Sequence, residues 1–198
     1  LTHAALAGWF RLQGDPQHAL FLLQQAPKLD ALHQDPFFLA TRVEVLIDLG
    51  EFERATEVMK SWPKPHSGYS FWRCRGIVND EVLQDFQTAI TDYSRALAAP
   101  PGKTDWPMME RKAHCLVLAQ RTAEAAEFRK KAKVVEKLME RDVHQRMRRI
   151  LTELQRPEGL LEMCDFYRKL GRTRELESWQ RYVRFLKEQP PVFRRSIP

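Results

Sequence analysis

The chain has 198 residues, 43% of them hydrophobic, and a formal net charge of +6. A chain of this size buries roughly 70% of the surface that its unfolded form exposes, so a single core can hold it without staples. No apolar run approaches the ~18 to 20 residues that span a bilayer, and no charged-then-apolar leader opens the chain, so the expectation is a cytoplasmic protein. Leu1 already lies inside an amphipathic pattern, which predicts a piece cut from a longer polypeptide.

In chain order, Asp15 before Pro16 and Asp35 before Pro36 each pair an N-cap carboxylate with a first-turn proline, and both open helices. Gly14, Gly50 and Gly171 stand where a helix must reverse through a left-handed residue, and Thr173 is the expected cap of the helix after the last of them. The prolines at 63 and 65, and the run Pro100, Pro101, Gly102, break the chain into turns. Further on, Val143, Met147, Ile150, Leu151 and Leu154 form the apolar stripe of a helix that has no sequence partner. Pro190 and Pro191 stop the last helix and leave a tail whose sizeable apolar groups are Phe193 and Ile197.

A repeat organises these elements. Ala19, Ala55, Ala89 and Ala125 open second helices at steps of 36, 34 and 36 residues, and each follows a first helix bearing its own small or apolar residue, Ala7, Val43, Gly76 and Ala113. Cys164, Tyr167, Gly171, Leu176 and Val183 make a fifth unit after a longer step, so one unpaired helix sits before it. The third unit carries one extra residue in its turn. This pattern resembles the tetratricopeptide repeat, whose period is about 34 residues. The resemblance implies an all-α, right-handed superhelix of about five degenerate units within one domain. The expected units are 1–31, 36–66, 68–101, 105–141 and 157–187, with the extra helix at 142–155 and a tail at 188–198.

In that family the first helices line a concave groove, and carrying its contact positions onto this sequence points to Arg11, Glu44, Asp48, Arg73, Arg111 and His114 as partner-binding residues. Two readings of these residues stand side by side: Glu44 and Asp48 accept a basic peptide while Arg73 and Arg111 hold an acidic one, or the charges pair with each other and keep the groove soluble. The family's clamp for a terminal carboxylate is missing, since Ala4, Gly8, Thr41, Ser70 and Cys74 occupy its places. Of the five tryptophans, Trp62 and Trp106, each beside a proline at a unit junction, are the expected exceptions to core packing.

Chemistry of other kinds finds little support. Cys74, Cys115 and Cys164 have unrelated spacing and read as small packing residues, and the six histidines form no i, i+4 pair, so no metal or cofactor is expected. No glycine-rich loop, nucleophile elbow or acid pair marks a catalytic centre, so the expectation is no catalysis. Charge divides the chain: residues 1–99 hold 9 Lys and Arg against 12 Asp and Glu, net −3, and residues 100–198 hold 23 against 14, net +9. The expected function is a non-catalytic adaptor binding a protein or peptide. The alternatives are a nucleic-acid or phosphate-backbone binder working through the basic half, or the regulatory part of a larger enzyme.

Overall fold

The computed structural model describes residues 2–27, 30–154 and 156–188. Among them the chain is all α: α1 (Thr2–Leu12), α2 (Pro16–Gln24), a single turn α3 (Asp30–His33), α4 (Pro36–Asp48), α5 (Phe52–Lys60), α6 (Gly68–Ile77), α7 (Phe86–Ala98), α8 (Trp106–Leu118), α9 (Thr122–Leu138), α10 (Arg141–Thr152), α11 (Pro157–Lys169) and α12 (Thr173–Glu188). A π-helical turn, Val78–Val82, follows α6, and a 3₁₀ turn, Gly102–Thr104, precedes α8. The tail with Phe193 and Ile197, the stop at Pro190 and Pro191, and Leu1 lie outside the described residues.

The chain divides into two compact units, one built from residues up to Gly102 with Arg111–Ala126, the other from Lys103–Glu110 with residues from Glu127 on. In the first, α1 packs on α2, α4 on α5 and α6 on α7, each helix against its successor in the chain. First helices also meet one another: α1 touches α4, and α4 touches α6. Side-by-side first helices are what bring their polar faces onto one surface.

The residues that mark the repeat explain the pairing. Ala4, Ala7, Ala19, Ala55, Ala89, Ala96 and Ala113 are fully buried, and two helix backbones approach closely only where side chains stop at a β-carbon. Larger groups fill the spaces between, with Phe38, Leu46, Tyr93 and Leu116 almost wholly enclosed. At Gly76 even a β-carbon is too much, because it would stand 2.7 Å from the ring of Tyr93. In the second unit Met147 and Ile150 of α10 join Leu160, Met163 and Cys164 of α11 and Val183 of α12 in one core. There Gly159 lies so close to α10 that a β-carbon would meet Ile150 at 3.3 Å.

The turns repeat a single hydrogen-bonding device. Asp15, Glu51, Arg121 and Arg172 each donate a backbone N–H to the carbonyl five residues back, Phe10, Leu46, Leu116 and Tyr167 respectively. That bond closes a helix through a left-handed residue. Gly14, Gly50 and Gly171 fill the position with φ of +82°, +74° and +66°, and Gln120 fills it without being glycine, at φ +60°. The third hairpin departs. Gly76 and Ala89 are 13 residues apart, where Ala7 and Ala19, Val43 and Ala55, and Ala113 and Ala125 are 12. Asp85 N–H reaches back six residues to Asn79, and the surplus residue is absorbed as the π-helical turn.

Capping follows the sequence at two sites and differs at a third. Asp15 accepts from His18 N–H at 3.0 Å, and Asp35 accepts from Phe37 and Phe38 N–H at 2.9 and 3.1 Å. Asp85 and Asp105 cap in the same way, accepting from Thr88 and Met108 N–H. Thr173 is already the first residue of α12, while Arg172 carbonyl accepts its first helical bond. The extra helix runs over Arg141–Thr152 and ends before the expected residue 155.

Gly76→Ala must push the buried Tyr93 ring aside. It is expected to cost about 1 to 3 kcal/mol of stability, read as a lower urea midpoint at unchanged slope.

Candidate partner-binding site

The polar face of the first helices carries an ion-pair ladder. Glu44 on α4 sits between two guanidinium groups, Arg11 of α1 at 2.7 Å and Arg73 of α6 in contact with its other oxygen. Arg11 also reaches Asp48, one turn along α4, at 3.3 Å. The next rung joins Glu81, in the π-helical turn, to Arg111 of α8. Three arginines and three carboxylates therefore cancel. Five of the six residues named from the sequence belong to this ladder: Arg11, Glu44, Asp48 and Arg73 pair among themselves, and Arg111 pairs with Glu81, which the sequence had not singled out. His114 is exposed on α8 and does not join the ladder.

Burial grades along the ladder. The Glu44 side chain is only 14% exposed, whereas Asp48 and Arg111 are 42% and 44% exposed and are the least covered charges of the ladder. Burial raises the Asp48 carboxyl above its usual value; Arg11 opposes that shift and the nearby Glu81 adds to it. Burial works against the charge of Arg111, but its hydrogen bond with Glu81 and the neighbouring negative groups hold its pKa above the usual one. Thr41 and Cys74, which occupy two places of the missing carboxylate clamp, are buried in packing, as are Ala40 and Ile47 of α4 and Ile77 of α6.

Behind the ladder lies a polar group that sequence reasoning did not single out. Asp92 of α7 is fully buried and accepts from Arg75 Nε at 2.7 Å and from Asn79 Nδ2 at 2.9 Å. Tyr93, its neighbour, donates its hydroxyl to Asp80 at 3.0 Å, and burial with the Asp80 charge raises the phenol pKa. The π-helical turn thus sends Asn79 and Asp80 into the hairpin and Glu81 to the ladder. The only available signal was the extra residue between Gly76 and Ala89.

Aromatic placement corrects an expectation. Trp62 is buried, edge-on to Phe71 with ring centres 5.6 Å apart, because the Pro63 turn folds it against α6. Trp106 is half-buried, and Trp9, expected in the core, is 54% exposed. The basic second unit pairs part of its charge within itself. Arg156 meets Glu153, Arg168 and Lys169 meet Asp165, Arg172 meets Glu175, and Arg146 meets Glu162.

All three cysteines are free and buried. Burial pushes the Cys74 thiol up to about 12, and burial with the charge of Asp80 does the same for Cys115. Among the described residues no group of three or more His, Cys, Asp or Glu is placed to hold a metal ion, and no helix is long and apolar enough to cross a membrane.

No family model matches the chain, and no curated protein matches it. The solved structure MamA AMB-1 is similar at 17% identity and a TM-score of 0.48, over 100% of this chain and 96% of that one. So low a score says nothing of partner or activity.

Two outcomes are expected. Glu44→Ala leaves two half-buried guanidinium groups short of an acceptor and costs about 1 to 3 kcal/mol, whereas Asp48→Asn, at the more exposed end, changes stability by less than about 1 kcal/mol; urea unfolding separates them. Iodoacetamide near pH 8 leaves Cys74 and Cys115 unmodified in the folded protein and alkylates both in denaturant, as mass spectrometry of the digested chain reads out.

Proposed function

We propose that the chain is a non-catalytic protein-interaction module of about five tetratricopeptide-like units that binds a peptide or partner helix on the face of its first helices. The observation that carries this reading is the neutral ladder through Arg11, Glu44, Asp48, Arg73, Glu81 and Arg111, spread over successive first helices. Ion pairs that are partly exposed are worth little in isolation, so a ligand bearing both signs exchanges them at small net cost. The geometry of the exchange then fixes register and partner choice more than raw affinity. Asp48 and Arg111 are the points of entry, one accepting a basic group and the other an acidic one, with His114 on the flank. The interior rungs, Glu44 with Arg11 and Arg73, hold the helices in register. A partner segment of alternating charge fits this face better than a uniformly acidic or basic one.

The test is affinity capture with the triple variant Asp48→Asn, Arg111→Gln, His114→Ala, which removes formal charge at exposed positions and keeps hydrogen-bonding groups beside Arg11 and Glu81. Partners retained by the wild-type chain are expected to be lost at an unfolding midpoint close to that of wild type. Capture that survives the triple change would remove the proposal. Affinity for a generic oligonucleotide that falls steeply between low and high salt would instead favour the backbone-binding alternative.

A further inference from the structure

The first hairpin carries a second surface, unlike the ladder in every respect. Trp9 on α1 meets Phe10 edge-on with ring centres 4.8 Å apart, Phe10 stacks on His18 of α2 at 4.0 Å, and His18 meets Phe21 edge-on at 6.3 Å. The rings form an unbroken band from one helix to the other. Its ends are open to solvent, with Trp9 54% and Phe21 55% exposed. Leu6 and Leu12, one turn before and after Trp9, are 46% and 76% exposed and extend the apolar surface along α1.

The same stretch is almost without charge. Between Thr2 and Gln25 only Arg11 and Asp15 are formally charged. Arg11 is engaged by Glu44 and Asp48, and Asp15 caps α2 and lies 3.8 Å from His18 Nδ1. In a 198-residue chain whose charged residues make up 29%, so bare a surface is a feature of composition and not of chance exposure.

We propose that this band is a contact between two copies of the chain, related by a twofold axis. In such a contact each group near the axis faces its own duplicate, so a patch that carries net charge repels itself and a neutral one does not. The band meets that condition. The exposed apolar surface around the cleft of Leu161, Cys164, Val183 and Gln180 in the second unit does not, since Arg168 and Arg184 line it and would face their own copies. A partner recognised by charge has nothing to read on this band, whereas a second copy supplies the same exposed Trp and Phe, residue types that dominate binding energy at interfaces. The four open side chains amount to on the order of 450 Å² per copy, roughly 900 Å² in the pair, which is below the standard size for a permanent complex and sets a reversible dimer.

Sedimentation equilibrium of the full chain over a range from about 5 to about 500 μM tests this. The weight-average mass is expected to climb from 23.3 kDa toward a plateau at twice that value. Trp9→Glu and, separately, Phe21→Glu place like charges opposite each other and are expected to hold the mass at the monomer value at every concentration, with wild-type helical content by circular dichroism. Trp9→Phe is expected to retain association. A wild-type chain that stays at monomer mass throughout overturns the proposal, as does association in the glutamate variants equal to wild type. A mass that climbs past twice the monomer without a plateau overturns the twofold contact in favour of open-ended stacking.

Discussion

The structure depends on how near two antiparallel helices can come to each other. Where Ala7, Ala19, Ala55, Ala89 and Ala113 lie fully buried, the limit is a single methyl group, and at Gly76 it is a hydrogen atom against the Tyr93 ring. Dispersion falls away quickly with separation, so the closeness is what turns a short amphipathic helix, marginal alone, into half of a stable pair. Everything polar inherits its position from that spacing. Arg11, Glu44 and Arg73 meet because α1, α4 and α6 lie side by side, and Asp92 finds Arg75 and Asn79 because α7 lies against α6. Asp92 has no exposure to water, and leaving such a group without its donors costs far more than a surface pair gains.

The all-α architecture was legible because small residues recur at nearly constant steps and because turns and caps obey local rules that need no tertiary information. Asp15 and Asp35 cap, and Gly14, Gly50 and Gly171 take positive φ, for reasons contained in a few consecutive residues. The third hairpin shows where that legibility stops. One surplus residue was visible, but a longer loop and a π-helical turn satisfy the count equally well. The choice is made by Asp80 and Asn79, which find Tyr93 and Asp92 only when the helix widens. Gln120 at φ +60° makes a similar point: the hydrogen bond from Arg121 to Leu116 holds a left-handed residue even where glycine is absent.

The tryptophans were misread for a different physical reason. A repeat pattern treats every unit alike, and in the interior of a stack that is sound because each helix has neighbours on both sides. Trp9 belongs to the first described helix, whose outer face meets no other described helix, so the rule that buries its counterparts does not reach it. Trp62 stood out in the sequence because of the adjacent proline, yet that proline turns the chain back and closes the ring against Phe71. Proximity to a junction is not exposure.

Charge is the property for which sequence position misleads most, and the two units show why. In the second unit Glu153 with Arg156, Asp165 with Arg168 and Lys169, and Arg172 with Glu175 are three or four residues apart on one helix or turn, so pairing reduces the number of open charges there and leaves the net positive count unchanged. Such pairs form in any exposed helix and say nothing about the fold. In the first unit the pairs Arg11 with Glu44, Arg73 with Glu44 and Arg111 with Glu81 join residues about thirty positions apart, close to one repeat length. A pair at that separation exists only if successive first helices are neighbours in the right register, and a slip of one turn would leave half-buried arginines without acceptors. The first unit, less conspicuous by net charge, therefore holds the electrostatic interactions that specify the arrangement, and it does so on the same face where Asp48 and Arg111 are the least covered charges.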